Sequence, residues 1–361
     1  MNSNLRQKFV NCERVTSTSS WGTRTFDKKT WTDVIHPTFE GVSIHANGTA
    51  KFTAANLANC SIFGKNGVEL LSLITKNKSS KSKSYLWGLE AFKSSDDDVN
   101  EVSHGTNITG KFDIHSSEGD VNSLDTKFDG INGNISGKNV KMETTVLKNQ
   151  HETANLNSEK LNSQSGQYEN QVLSIKKLTV ENCETATLKN ANLNAEEIKG
   201  TVGKLNIISD CSTKKEDGMT VESEWTFYLI NGIPTPLPTG FSYKSSQFSE
   251  SKVHTPSGIH STSSFANFHV GHLYDEGGVI SFAGDVNKFY NTATFKNIEE
   301  KSRRDKFKLG AEWDYFLTPK AKFPKLNSVG FECTSSNKQE TSITQPTIAS
   351  TTNGNVETKN E

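Results

Sequence analysis

Apolar residues are scarce in this chain of 361 residues: the hydrophobic types make up 32% of it, and the mean hydropathy is -0.60. That excludes one large conventional core, although a thin stack of strands needs only a narrow apolar column. An excess of one charge is also lacking. The 40 basic and 41 acidic residues are interspersed and leave a net charge of -1, which excludes the basic stripe of a dedicated nucleic-acid binder. No run approaches the roughly eighteen apolar residues of a membrane span, and no apolar h-region follows Met1. Neither a span nor a signal peptide is therefore expected. Cys12, Cys60, Cys183, Cys211 and Cys333 are odd in number and never form C-x-x-C, so they signal neither a disulfide framework nor a zinc site. Assembly in a reducing cytosol is the expectation.

Catalytic signatures are missing as well. The chain has no G-x-S-x-G elbow, G-x-G-x-x-G fingerprint, P-loop or H-E-x-x-H, and no cofactor is expected. His269 and His272, followed by Asp275 and Glu276, are the densest candidate ligands for a metal. On a strand, however, positions three apart face opposite sides, so surface histidines near a turn are expected and no metal site is assigned. Asp96-Asp97-Asp98 lacks the alternating ligands and Gly of an EF-hand loop and is expected to be a solvated acidic loop. Glu222, Glu224, Asp285 and Asp314 could supply a carboxylate pair for glycan cleavage, but nothing selects among them.

What the sequence has is repetition. Thr49-Ala50-Lys51-Phe52-Thr53-Ala54-Ala55-Asn56-Leu57 returns as Thr185-Ala186-Thr187-Leu188-Lys189-Asn190-Ala191-Asn192-Leu193, and each copy places an Ile five residues on (Ile62, Ile198) and a Gly two after that (Gly64, Gly200). A shorter unit recurs as Ile62-Phe63-Gly64-Lys65, Ile108-Thr109-Gly110-Lys111 and Ile135-Ser136-Gly137-Lys138. Ser, Thr and Asn form roughly a third of the chain, so polar matches alone would mean little. The apolar and Gly positions recur with them, which marks stacked structural steps.

Local apolar spacing is two, interrupted by jumps of three to five at Gly or Asn, as short strands between corners require. The expected fold is all-β: a β-solenoid or fibrous β-shaft followed by a C-terminal β-sandwich or barrel-like domain. Residues 1–40 read as an N-terminal attachment or capping segment and 41–210 as the repetitive shaft. Residues 211–333, rich in Phe, Tyr and Trp, read as the C-terminal domain, and 334–361 as a disordered polar tail. Lys76–Ser84 reads as a solvated loop, and Gln150–Gln164 as a polar helix or linker. So few apolar residues make a monomeric stack marginal, and winding three chains together is one way to bury them.

The units Asn47-Gly48-Thr49-Ala50-Lys51-Phe52 and Thr185 to Leu193 resemble steps of bacteriophage tail fibres and other viral fibres. The resemblance implies a non-enzymatic virion structural or attachment protein. It also implies a homotrimer assembled in the host cytoplasm, joined to other virion proteins through its N-terminus, with a head that contacts a host surface glycan or protein. Trp225, Tyr243, Tyr274 and Trp313 are the head residues proposed for that contact, since aromatic faces stack on sugars and dominate interface hot spots. The ordinary role of each is to fill a core. A particle-associated polysaccharide-degrading β-helix enzyme and an icosahedral capsid shell protein are the alternatives.

Overall fold

A computed structural model describes residues 8–20, 23–85, 93–154, 160–168, 171–230, 232–263, 267–283, 289–316, 325–352 and 355–360. All regular structure among them is strand. The chain opens with a hairpin, β1 (Lys8–Ser20) and β2 (Thr23–Ile35). Two three-sided coils follow, β3 (Thr38–Glu40), β4 (Ser43–Ala46) and β5 (Thr49–Thr53), then β6 (Asn56–Ala58), β7 (Ser61–Gly64) and β8 (Gly67–Leu71). The second hairpin is β9 (Leu73–Tyr85) and β10 (Lys93–His104). Coils three and four hold β11 (Asn107–Ser116), β12 (Asp120–Leu124), β13 (Lys127–Ser136) and β14 (Asn139–Glu143), and the third hairpin is β15 (Val146–Ala154) and β16 (Lys160–Tyr168). Coils five and six are β17 (Gln171–Lys189) and β18 (Ala191–Ile208), before the long fourth hairpin of β19 (Ser212–Ile230) and β20 (Ile233–Lys252). Coils seven and eight hold β21 (Gly258–Ser261), β22 (Phe268–Glu276), β23 (Val279–Ala283) and β24 (Tyr290–Lys296). The fifth hairpin, β25 (Ile298–Phe316) and β26 (Lys325–Thr344), leads into β27 (Thr347–Thr352) and β28 (Asn355–Asn360).

The coils stack in parallel. Thr38 lies beside Asn56, Ser43 beside Ser61 and Thr49 beside Gly67, a constant offset of 18 residues. One inward position forms a ladder through the stack: Phe39, Leu57, Ile108, Phe128, Leu173, Leu193, Ile259, Ile280 and Ile348. From Leu57 onward each is at most 6% exposed, and burying a side chain of this size contributes about 2 kcal/mol. The column closes within one chain, so scarcity of apolar residues does not require three.

The sequence echo marks a corner of this stack. Ala54 and Asn190 occupy equivalent places, with φ of 47° and 50°, and Asp125 (φ 49°) and Gly277 (φ 63°) recur there in coils three and seven. At these four corners the chain passes directly into the next coil; at the same corner of the even coils it leaves into a hairpin. Gly64 and Gly200 are fixed by close approach, because a Cβ would lie 2.0 Å from the Gly67 carbonyl oxygen in one case and 1.8 Å from that of Val180 in the other. Asp125 ties the corner to its hairpins: its carboxylate accepts from Ser72 Oγ and Ser103 Oγ, both at 2.7 Å, and from the Thr145 amide at 2.7 Å.

The five hairpins project from that corner and pair side by side into a ten-stranded antiparallel sheet, β1-β2-β9-β10-β15-β16-β19-β20-β25-β26. The physical reason is spacing. Two coils rise about 9.6 Å, which is also the width of a two-stranded hairpin at about 4.8 Å per strand. One hairpin for every two coils therefore places each hairpin within hydrogen-bonding reach of the next.

Several expectations change. β21 lies parallel to β18, so the stack runs past residue 211, and the aromatic-rich segments divide between coils seven and eight and two projecting hairpins instead of forming a sandwich or barrel. Residues 334–344 belong to β26, whose partner is β25, and β27 adds to the stack beside β23; the polar tail is strand because a neighbouring ladder receives it. Within residues 1–40, read as an attachment or capping segment, β1 and β2 form the first hairpin of the sheet. Lys76–Ser84 lies in β9 and Asp96–Asp98 in β10; of Gln150–Gln164, residues 150–154 lie in β15 and 160–164 in β16, and the rest lies outside the described residues. Polar side chains suit these strands because both sheet faces meet solvent over much of their area.

Candidate functional site

The fourth and fifth hairpins outreach the third. β16 pairs with β19 only as far as Met219, and β25 pairs with β20 only as far as Gly240. Over their shared length the four strands β19, β20, β25 and β26 present two unlike faces, since directly paired residues point the same way. One face holds the rows Met219–Ser245–Phe307–Ser335, Val221–Tyr243–Leu309–Cys333 and Ser223–Phe241–Ala311–Phe331. The other holds Thr220–Lys244–Lys308–Thr334, Glu222–Ser242–Gly310–Glu332 and Glu224–Gly240–Glu312–Gly330. On the charged face Lys244 Nζ donates to Glu222 at 2.8 Å and Lys308 Nζ to Glu332 at 2.5 Å. These lysines hold the Glu222 carboxyl below its usual range, Lys244 having the largest effect. A groove of about 670 Å³ on this sheet is lined by Leu161, Gly218, Lys244, Lys306 and Lys308 among others, but Lys244 and Lys308 are already engaged by glutamates.

The aromatic face continues into the tip of the fourth hairpin. No charged residue occurs between Glu224 and Lys244. Trp225 is 59% exposed, Phe227 70%, Leu229 66%, Ile233 66% and Phe331 81%. Pro234, Pro236 and Pro238 pair with Leu229, Phe227 and Trp225. Prolines at alternate positions lack their N–H on one side of the strand, and the ladder to β19 persists through them, which places that side on the open edge. The tip is thereby protected from adding another strand there.

The polar atoms of the tip are satisfied internally. Trp225 Nε1 donates to Ser223 Oγ at 3.1 Å, and Trp313 Nε1 to the Pro238 carbonyl at 2.6 Å. Tyr228 donates its hydroxyl to Asp314 at 3.0 Å and meets Tyr315 edge-on at 5.7 Å between ring centroids. Loss of water and the Asp314 carboxylate push the Tyr228 phenol upward.

Of the residues proposed for contact, Trp225, Tyr243 and Trp313 therefore lie on these two hairpins, with Tyr243 at 6.2 Å from Phe307 between centroids. Tyr274 lies apart on β22, where its hydroxyl donates to Glu276 at 2.9 Å and Lys204 Nζ sits 5.8 Å from its ring centre. The Glu276 contact, with burial, raises its pKa. Phe227, Leu229, Ile233 and Phe331 are contact candidates that sequence reasoning passed over, although the uncharged run from Trp225 to Tyr243 could have shown the first three.

His269 and His272 also stand on β22 but do not converge: His269 is exposed and His272 Nδ1 lies 2.8 Å from Thr292 Oγ1. Among the described residues the set with metal-ligand spacing is Asp96, Asp98 and His151. His151 stands directly opposite Asp98, its Nδ1 2.6 Å from Asp98 Oδ1 and 3.5 Å from Asp96 Oδ1. These half-exposed groups form an ordinary cross-strand hydrogen-bonded contact at the surface.

Of the carboxylates available for glycan cleavage, Glu222 is bound by Lys244 and Ser242, and Asp314 by Tyr228; Asp285 lies outside the described residues. Among the described residues Asp275 is the acid with a strongly raised pKa, pushed up to about 6 by burial. It is fully enclosed and accepts from the Gly278 amide at 2.7 Å, while Oδ2 has no partner. An enclosed acid cannot reach a glycosidic bond.

The class defined by this geometry is a stack of parallel coils carrying a projecting antiparallel sheet with an aromatic end. No family model matches the chain, and no curated protein or solved structure does. No helix among the described residues is long and apolar enough to cross a membrane.

Proposed function

We propose that this chain is a non-enzymatic structural attachment protein of the fibre type. The coil stack serves as a rigid support, and the distal aromatic end of the fourth and fifth hairpins is the contact surface. The observation that carries this reading is the exposure of Trp225, Phe227, Leu229, Ile233 and Phe331 on strands that no other layer covers among the described residues. Solvent-exposed apolar surface of this kind usually marks an interaction site. A virion is the setting proposed from the fibre resemblance, with a host surface as the partner and homotrimerisation multiplying weak contacts. The enzymatic alternative is disfavoured by the absence, among the described residues, of a reachable acid with a raised pKa beside a second carboxylate.

The test is binding of the labelled chain to whole cells, compared with the Trp225→Ser/Phe331→Ser variant. Binding that falls at least tenfold in the variant is expected. Equal binding by both, or release of sugar from surface polysaccharide by the unmodified chain, would overturn the reading.

A further inference from the structure

We infer that the uncharged face of the fourth and fifth hairpins is a self-association surface, covered by the same face of another copy of this chain. This rests on the attachment reading and names what joins the copies it requires. The face begins above the row Asp217–Gln247–Asp305–Asn337 and carries no charged residue from there to the paired ends of the hairpins. Trp225 pairs with Pro238 and Trp313 with Val329, while the Trp313 indole donates to the Pro238 carbonyl at 2.6 Å. The two hairpins therefore present one continuous surface.

Its size suits a pairing of copies. Met219 to Leu229 spans about 37 Å at about 3.4 Å per residue, and four strands are about 19 Å wide, which gives roughly 700 Å² for each copy. Two such faces bury about 1,400 Å², within the range of about 1,200–2,000 Å² for a stable interface. Sheets that pack face to face stand about 10 Å apart with their inner side chains interdigitated. With strands running in opposite directions in the two copies, the bulky Trp225, Phe227 and Phe331 of one lie over rows that hold Ser223, Ala311 and Ser245 in the other. Small residues there leave room for the rings.

Composition selects another copy over other occupants. A surface that meets a foreign protein transiently is only about as apolar as the rest of the exterior, whereas interfaces between identical chains are more apolar, and interface cores lose charge and gain aromatic residues and Met. The face here follows the second pattern. A bilayer is disfavoured by the reverse side, which bears Glu222, Glu224, Glu312 and Glu332 and the Tyr228–Asp314 hydrogen bond. Insertion would bury those charges, but a sheet packed on the uncharged face leaves them in water. Ile230 and Ile233, paired at the end of the fourth hairpin, point to that reverse side and stay outside the seam, where the attachment contact can use them.

The experiment is sedimentation equilibrium of the full chain over a range of concentrations, alongside the Phe241→Glu/Leu309→Glu variant. These side chains are 39% and 41% exposed in a single copy, so the variant should keep its strand content by circular dichroism. If it does not, Phe227→Glu/Leu229→Glu, at 70% and 66% exposure, tests the same face. Expected are a mass at least twice the 39.8 kDa of one chain, a dissociation constant raised at least tenfold in the variant, and no weakening by added salt, since no charge lies in the seam. The inference is overturned if the unmodified chain stays monomeric throughout, if the variant associates equally, or if salt dissolves the association. Should the chain be monomeric while cell binding is still lost on Trp225→Ser/Phe331→Ser, only this inference falls. Should it associate through this face and bind no cells, the attachment reading falls and the inference stands.

Discussion

Asp275 shows how one residue can work against the stack that holds it. Its ladder position reads Phe52, Leu70, Ser123, Met142, Leu188, Ile207, Asp275 and Phe295 in successive coils, so a carboxyl replaces an apolar neighbour. Burial raises its pKa from 3.8 to about 6. Between those values the folded chain keeps a proton that the unfolded chain has lost. Stability is therefore highest at low pH and falls as pH rises toward about 6, by about 3 kcal/mol at most from this group. Asp275→Asn keeps the oxygen that accepts from Gly278 and removes the charge. It should raise thermal stability by about 1–3 kcal/mol at pH 7 and change it little near pH 4; melting curves at the two pH values decide this, and an equal shift at both would refute the assignment. Nothing in the sequence around Asp275 distinguished it from a surface acid near a turn, because its burial depends on the coil below it.

At the scale of elements, the hairpins are separable from the stack. The fourth hairpin is closed at Glu224 and Gly240, beyond which it touches the fifth through Trp313 and Tyr228. Replacing residues 225–239 by Asn-Gly provides a two-residue turn suited to that pair. The melting temperature should fall by no more than about 2–4 °C, the equivalent of about 1 kcal/mol for a domain of moderate size, while cell binding should disappear. A much larger loss measured by circular dichroism would show that the tip stabilises the fold. The period-two patterns of the coils were legible in the sequence, whereas β9, β10 and β26 were not. Their Lys, Asp and Asn side chains have low strand preference; β9 and β10 are strands because each has a partner strand on both sides, and the edge strand β26 because β25 supplies its ladder.

For the whole molecule, the match between coil rise and hairpin width makes a repeat of two coils plus one hairpin the structural unit. Deleting residues 107–168, which are coils three and four with the third hairpin, brings the second hairpin beside the fourth at the right spacing. That variant should fold with an eight-stranded sheet. Deleting 107–126, a single coil, leaves about 4.8 Å where a hairpin needs about 9.6 Å, and should unfold at clearly lower temperature with loss of cooperativity. If the two deletions melt alike, the spacing is not what holds the sheet together.

The sequence by itself determined the strand period, the recurring corner with its buried Ala and Gly, and the scarcity of apolar side chains that makes the core a column. These follow from chain-local sterics and from side-chain alternation. Tertiary structure alone decided that aromatic segments after residue 211 divide between coils and hairpins, that polar runs become strands, and that Trp225, Tyr243 and Trp313 gather on neighbouring hairpins while Tyr274 does not. Each of those outcomes depends on which strand lies alongside, and pairing partners up to 72 residues apart, as Gly240 and Glu312 are, leave no mark in the local pattern of either segment.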